Sequence, residues 1–355
     1  MKWIISFLLV TIFIGQSLGF GYFDSIHSGT IMPGISPTST ALGSLRALGI
    51  NEPVSMFLNP AQTANLSSTV QIAGASIHWK EKVIESDIDK TVRTFITNGN
   101  GSLAFVQPVG EITLGAGLAK IGEFGYEGIH TLYDDPEDPE LGVVVLYADG
   151  AQWESVGQIS TSITEEFSVG FSAGIRMVQA DYEYIFNSHQ FLLPDSSAAW
   201  SIEDKAFAWH GGLAYNGDMF QSAASYSSKT DYMYDILAFG SSALAPHLNN
   251  TIVGFEAQVS SLADDSKFLG NVFIKTSFTK EVLALISVSF DDNRVANRAG
   301  LGFGLGIEAT YDKFALSGGI LNRFRSRKNT AFPAEASDRV DDSFTALSLG
   351  FSYFL

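Results

Sequence analysis

The stretch Phe167-Ser168-Val169-Gly170-Phe171-Ser172-Ala173-Gly174-Ile175-Arg176-Met177 decides the fold. Every second side chain is apolar: Phe167, Val169, Phe171, Ala173, Ile175 and Met177. Those between, Ser168, Gly170, Ser172, Gly174 and Arg176, are small or polar. Neighbouring side chains of a strand face opposite ways, so a period of two makes a two-faced strand. A soluble sandwich also alternates, but its outer face is usually charged. Here the non-apolar face is glycine and serine with a single charge. That suits a barrel whose apolar face meets lipid and whose small face lines the lumen.

The pattern recurs. From Leu301 one face reads Leu301, Phe303, Leu305, Ile307, Ala309 and Tyr311, against glycines 300 to 306, Glu308 and Thr310. From Ile112 the apolar face is Ile112, Leu114, Ala116 and Leu118, opposed by Thr113, Gly115 and Gly117. Tight turns such as Val109-Gly110-Glu111 and Tyr311-Asp312-Lys313 alternate with long polar stretches at 81–99, 121–151, 181–203 and 325–340. Membrane barrels alternate short periplasmic turns with longer outer loops. Strands are expected near 69–80, 101–108, 111–121, 152–163, 167–180, 204–215, 219–228, 232–242, 250–260, 268–279, 281–292, 299–311, 313–323 and 343–355. This is an all-β, transmembrane antiparallel β-barrel of about 14 strands over 69–355, an even number with both ends on the periplasmic side.

Composition agrees. The 355 residues carry 38 acidic and 21 basic side chains, a formal charge of −17. That excludes a basic nucleic-acid footprint. With 46% hydrophobic and 17% charged residues the chain is not a disordered polyanion. It has no cysteine, hence no disulfide, thiolate metal site or thiol nucleophile. Met1-Lys2 followed by an apolar run from Trp3 to Ile14 and small residues up to Gly19 reads as a signal peptide, 1–19, cut after Gly19. Beyond Gly19 no apolar stretch approaches the ~18 residues of a spanning helix. The expected location is the outer membrane, with its lipid as one partner. The last strand, with Thr345, Leu347, Leu349, Phe351, Tyr353 and Leu355 on one face, has the spacing of an outer-membrane assembly signal, so the assembly machinery is a second expected partner.

Residues 20–68 precede the first strand and are interrupted by Pro33, Pro37, Pro53 and Pro60. They contain Thr40-Ala41-Leu42-Gly43-Ser44-Leu45-Arg46-Ala47-Leu48-Gly49 and then Asn59-Pro60-Ala61. A small-residue run with Arg-Ala-Leu-Gly ahead of Asn-Pro-Ala and a first strand resembles the FadL-type long-chain fatty acid transporters and their PorV/PorQ-type relatives. The resemblance implies a hatch folded into the lumen over 20–68, with Asn59, Pro60 and Ala61 as its motif. It implies passive uptake of a hydrophobic small molecule, captured among the outer loops and released when the hatch shifts. The alternative it carries is a PorV/PorQ-like barrel serving secretion-system proteins or surface attachment. On the residues alone, Asn59 before Pro60 stops a helix and turns the chain. The lumen-face glycines either make room for such a segment or relieve crowding within the sheet.

No enzyme is expected. Gly170-Phe171-Ser172-Ala173-Gly174 matches the G-x-S-x-G elbow, but that motif needs a strand-to-helix turn and here lies within a strand. The six histidines show no metal spacing, so no metal and no cofactor are expected. His210 or His78 beside a strand serine could support a barrel hydrolase, although the sequence singles out no pair. The acidic run Asp134 to Glu140 lacks Ca²⁺-loop spacing and reads as a solvated outer loop. Trp79, Trp153 and Trp209 suit interface belts. Arg176 and Glu308 are charges on inward faces, which either pin the hatch or meet a ligand.

Overall fold

The computed structural model describes residues 30–31, 35–85, 88–124, 126–132, 142–188, 194–245, 248, 250–260, 267–293, 298–328 and 339–355. The expected signal peptide and the acidic run 134–140 lie outside them. The chain begins with the two-residue strand β1 (Thr30–Ile31), the short helix α1 (Pro37–Ala41), and the 3-10 turns Pro53–Phe57 and Pro60–Thr63. Strands follow: β2 (Thr69–Glu85), β3 (Ile88–Val109), β4 (Ile112–Glu123), β5 (Tyr126–Leu132), β6 (Gly142–Ser162), β7 (Phe167–Ser188), β8 (Ser196–Asn216) and β9 (Phe220–Ser227). The sheet is completed by β10 (Ile236–Ala245), β11 (Thr251–Ser260), β12 (Lys267–Ser277), β13 (Val282–Asn293), β14 (Arg298–Tyr311), β15 (Phe314–Lys328) and β16 (Arg339–Phe354).

All pairings are antiparallel, and all but three join sequence neighbours. β16 pairs β2 and β4 pairs β6, which closes the ring, and β1 pairs β4 outside it; β5 pairs β6 beyond the reach of β4. Setting aside β1 and β5, fourteen strands close on themselves. Over the height at which every neighbour pairs, closure leaves no sheet edge, the condition for crossing lipid with strands. The faces follow the sequence pattern. Phe171, Ile175, Leu301, Phe303, Leu305, Leu347 and Leu349 point outward and are about half exposed, whereas Ser168, Ser172 and Arg176 are buried inside.

Fourteen ring strands were expected and fourteen are present, but several are longer than expected. The polar stretches 81–99 and 181–203, expected as loops, are mostly strand: β2 runs to Glu85, β3 starts at Ile88, β7 runs to Ser188 and β8 starts at Ser196. The ladder is made of backbone bonds, so it continues where side-chain alternation lapses. The expected strand 232–242 is shifted to Ile236–Ala245. Tyr232 instead belongs to a connection that folds inward, with its ring edge-on to Phe124 at 6.4 Å.

Residues 35–68 fill the lumen. Ser36 caps α1 by accepting from the Ser39 N–H at 3.1 Å, and Pro37 suits the first helical turn. Leu42, Leu45, Leu48, Val54, Met56 and Phe57 are buried against inward-facing Phe273, Leu285 and Val156. The lumen glycines divide. A Cβ on Gly170 would overlap Pro60, one on Gly212 would overlap Asn59 Oδ1, and one on Gly304 would overlap the Ala41 carbonyl. These make room for the lumenal segment. Gly174 instead meets Ser155 of the next strand, so it relieves crowding within the wall. Adjacent residues give a controlled test. Gly212→Ala is expected to lower unfolding free energy by about 1–3 kcal/mol through overpacking. Gly211→Ala, whose nearest atom would be Trp209 at 3.6 Å, should be near neutral. Denaturant unfolding of both in detergent checks this.

Candidate functional site

The lumenal segment is held by polar groups at three places. The motif residue Asn59 is wholly buried. Its Oδ1 accepts from the Ala61 N–H at 3.1 Å, and its Nδ2 donates to the Ala47 carbonyl at 2.8 Å and the Leu213 carbonyl at 3.3 Å. Asn59 thus fastens one turn to another and both to β8, while Pro60 and Ala61 pack on Gly170. On β11 the Glu256 carboxylate accepts three backbone N–H groups, from Arg46 at 2.7 Å, Ala47 at 2.9 Å and Leu48 at 3.0 Å. Gln258 donates to Glu256 at 2.8 Å and to the Ser44 carbonyl at 2.8 Å.

The third place is a relay across β6, β7, β8 and β9. Arg46 Nη2 donates to Ser227 Oγ at 3.1 Å. Ser227 Oγ lies 2.8 Å from His210 Nδ1, and His210 Nε2 meets Glu154 Oε1. Arg176 donates to Glu154 Oε2 from Nε at 2.9 Å and Nη2 at 2.6 Å, and to Thr230 Oγ1 at 3.2 Å. With Glu256, two guanidinium groups face two carboxylates, so the relay is close to neutral. Burial lowers Arg46 to about 10, leaving it cationic near neutrality. Paired charges are what a buried lumen tolerates.

Serine, histidine and glutamate in line resemble a nucleophilic triad in order. Arg46 already donates to the serine, Arg176 engages the carboxylate, and all three residues are about 99% buried. The relay fastens the lumenal segment to the wall. Ser172 of the G-x-S-x-G match donates to the Met56 carbonyl at 2.6 Å, mid-strand, which is a further tie and no elbow. His78 faces outward and is exposed. Of the charges singled out in sequence, Arg176 sits in the relay without touching the lumenal segment itself. Glu308 lies lower in the lumen, electrostatically coupled to Glu52 and Lys275, and Lys275 donates to the Gly49 carbonyl. Sequence reasoning raised His210 beside a strand serine without identifying Ser227 as that serine, and it missed Glu154 and Glu256.

Above the relay the inward faces turn apolar. Phe124, Leu146, Ala148, Val178, Ala180 and Tyr182 form a buried cluster, flanked by Tyr184, Ile202 and Tyr232. Here β4 leaves the wall. Its pairing with β3 stops at Ser102–Ala119, its register with β6 shifts between Lys120 and Gly122, and Ala119 to Phe124 are all buried. Lys120, outward by alternation, is buried and ion-paired with Glu123. Among the described residues, Thr30–Ile31 alone pairs with the free edge of β4, at Gly122 and Glu123. Eight paired residues at ~3.3 Å each, tilted ~40°, climb about 20 Å, so the seam opens inside the ~25 Å apolar band.

Two outcomes are expected. Glu256→Gln, facing the same three donors without charge, should weaken the lumenal segment's attachment by about 1–2 kcal/mol. The readout is faster protease cleavage within 44–50. Arg176→Met, which strands Glu154, should cost about 3–5 kcal/mol. Adding Glu154→Gln should recover at least half, measured by a double-mutant cycle of thermal unfolding.

No protein-family model matches the sequence, and a search of curated proteins returned no match. Solved structures do match in shape. A FadL homologue from Pseudomonas aeruginosa superposes with a TM-score of 0.65 at 11% identity, covering 92% of this chain and 99% of that one. The toluene transporter TodX from P. putida gives 0.64 at 12%, covering 90% and 98%. The monoaromatic hydrocarbon channel CymD gives 0.58 at 11%, covering 91% and 98%. At these identities the likeness is one of fold.

Proposed function

We propose that this chain is an outer-membrane barrel for passive uptake of hydrophobic small molecules. The observation that carries the reading is the apolar cluster of Phe124, Leu146, Val178, Ala180 and Tyr182 directly beside the seam where β4 leaves the wall. An apolar ligand gains by moving from water to such a surface at roughly 25 cal/mol per Å² buried. The seam then leads sideways toward lipid, which an apolar molecule enters without being exposed to water again.

In this reading residues 35–68 are a floor. Their ties to Glu256, Ser227, Gln258 and Ser172 are numerous and charge-balanced, so releasing the segment would break many bonds at once. Among the described residues, exit at the seam breaks the Thr30–Ile31 pairing alone. This differs from the expected exit beneath a shifting hatch. The similarity in fold to a FadL homologue, to TodX and to CymD supports the same class of cargo. Lipid is the surrounding partner of the apolar belt, and the C-terminal strand β16, closing on β2, is the natural place for assembly machinery to act.

The test is uptake of radiolabelled toluene and decanoate by Gram-negative cells expressing the full chain. Val178→Asp places an unpaired charge in the cluster and is expected to reduce uptake at least fivefold with the barrel still folded, as judged by heat-modifiable gel mobility. Equal uptake by wild type, variant and empty-vector cells would overturn the reading.

A further inference from the structure

The wall opposite the seam carries polar groups that the uptake reading does not use. Consecutive partners across four strands place Asn271, Ser289, Gly302 and Arg323 in one row of the inner face. Asn271 is about 99% buried, yet neither its Nδ2 nor its Oδ1 has a hydrogen-bond partner among the described residues. Arg323 Nε is likewise buried without a partner. The remaining Arg323 contacts are long: 3.3 Å to the Gly43 carbonyl, 3.4 Å to Ser289 Oγ and 4.0 Å to Asp291. Both side chains converge on the Gly43–Ser44 turn. A Cβ on Gly43 would lie 2.5 Å from Asn271 Oδ1, and Ser44 Oγ is also without a partner. Gly302 keeps the wall bare beneath, where a Cβ would come within 3.3 Å of Arg323 Nε.

Buried polar groups in folded proteins nearly always have partners, and leaving one unmade is costly. Here two donors and an acceptor are left together at one place. It adjoins an apolar surface of Ile77, Leu321, Phe344 and Ala346, with the Arg323 guanidinium stacked 5.7 Å over the Phe344 ring. At its rim the Arg323 and Asp291 side chains keep 11% and 16% of their exposure, while the unpartnered atoms themselves are buried. We infer that this is a head-group subsite for a neutral amphipath: an apolar chain or ring bearing one hydroxyl, as in a long-chain alcohol. The inference rests on the uptake reading and refines its cargo. A hydroxyl both donates and accepts, so it satisfies Asn271 Oδ1 and one of the two donors together. An alkane leaves all three unmade. A carboxylate cannot donate to Asn271 Oδ1 and is repelled by Asp291 beside the arginine.

The experiment incubates the purified full chain in mild detergent with equimolar 1-dodecanol, dodecane and dodecanoate. Ligand retained through gel filtration is quantified by gas chromatography with mass spectrometry. Wild type is expected to retain dodecanol about tenfold over each of the others. Asn271→Leu, which removes an unpaired polar group without breaking any existing hydrogen bond, should fold normally and retain dodecanol and dodecane equally. Arg323→Met should halve the preference or more. Equal retention of dodecanol and dodecane by wild type means the polar atoms hold ordered water only. That outcome, or an unchanged preference in Asn271→Leu, overturns the subsite while leaving hydrophobe uptake standing. Retention of none of the three overturns the uptake reading itself.

Discussion

One carboxylate organises the interior. Glu256 projects from β11 and takes three successive backbone N–H groups of the lumenal segment, at Arg46, Ala47 and Leu48. Those donors belong to a stretch without regular helix or strand, so no ladder satisfies them. In a lumen shielded from water they need an acceptor, and a carboxylate accepting several N–H bonds is the strong form of that contact. Once this turn is placed, Arg46 reaches Ser227, and the relay through His210 and Glu154 to Arg176 follows. The glycines at 170, 212 and 304 are then required, because the segment lies against bare wall.

The same arrangement sorts the lumen by height. Below and around the relay, charges are paired and the segment is tied on many sides. Above it, charges give way to Phe124, Val178, Ala180 and Tyr182, and the wall itself opens where β4 turns inward. In the proposed uptake function, a tied floor with an apolar outlet at its side reconciles the many polar ties with passage of apolar molecules. It also explains Lys120. An outward lysine at this depth would face hydrocarbon, and the inward bend of β4 allows it to pair with Glu123.

The barrel was legible in the sequence wherever strands cross lipid, because lipid on one side and lumen on the other impose the period of two seen from Phe167 to Met177. It was less legible at 181–203: Tyr182, Tyr184 and Ile202 still pack inward, but residues 194–201 are exposed on both faces, where β7 and β8 continue on backbone bonds. The lumenal segment was visible in its prolines and in Asn59-Pro60-Ala61. Its seat was not: Arg46 and Glu256 are 210 residues apart in sequence. Arg176 stood out as the one charge on a face of glycine and serine, while Glu154 and Ser227 resembled other residues of their strands. Asn271 gave no signal, since one amide on a lumen face is ordinary until its lack of partners is seen.

Locking the floor tests the central claim most directly, and the absence of native cysteine makes it clean. A Cβ on Gly240 of β10 would lie 3.1 Å from Leu48 Cβ, close to the ~3.5–4.5 Å that a disulfide spans. In a Leu48→Cys, Gly240→Cys chain, uptake of radiolabelled toluene should be the same oxidised and reduced, because the outlet is the seam beside β4. Uptake that is lost on oxidation and restored by reductant would contradict the account and return the exit to a moving hatch.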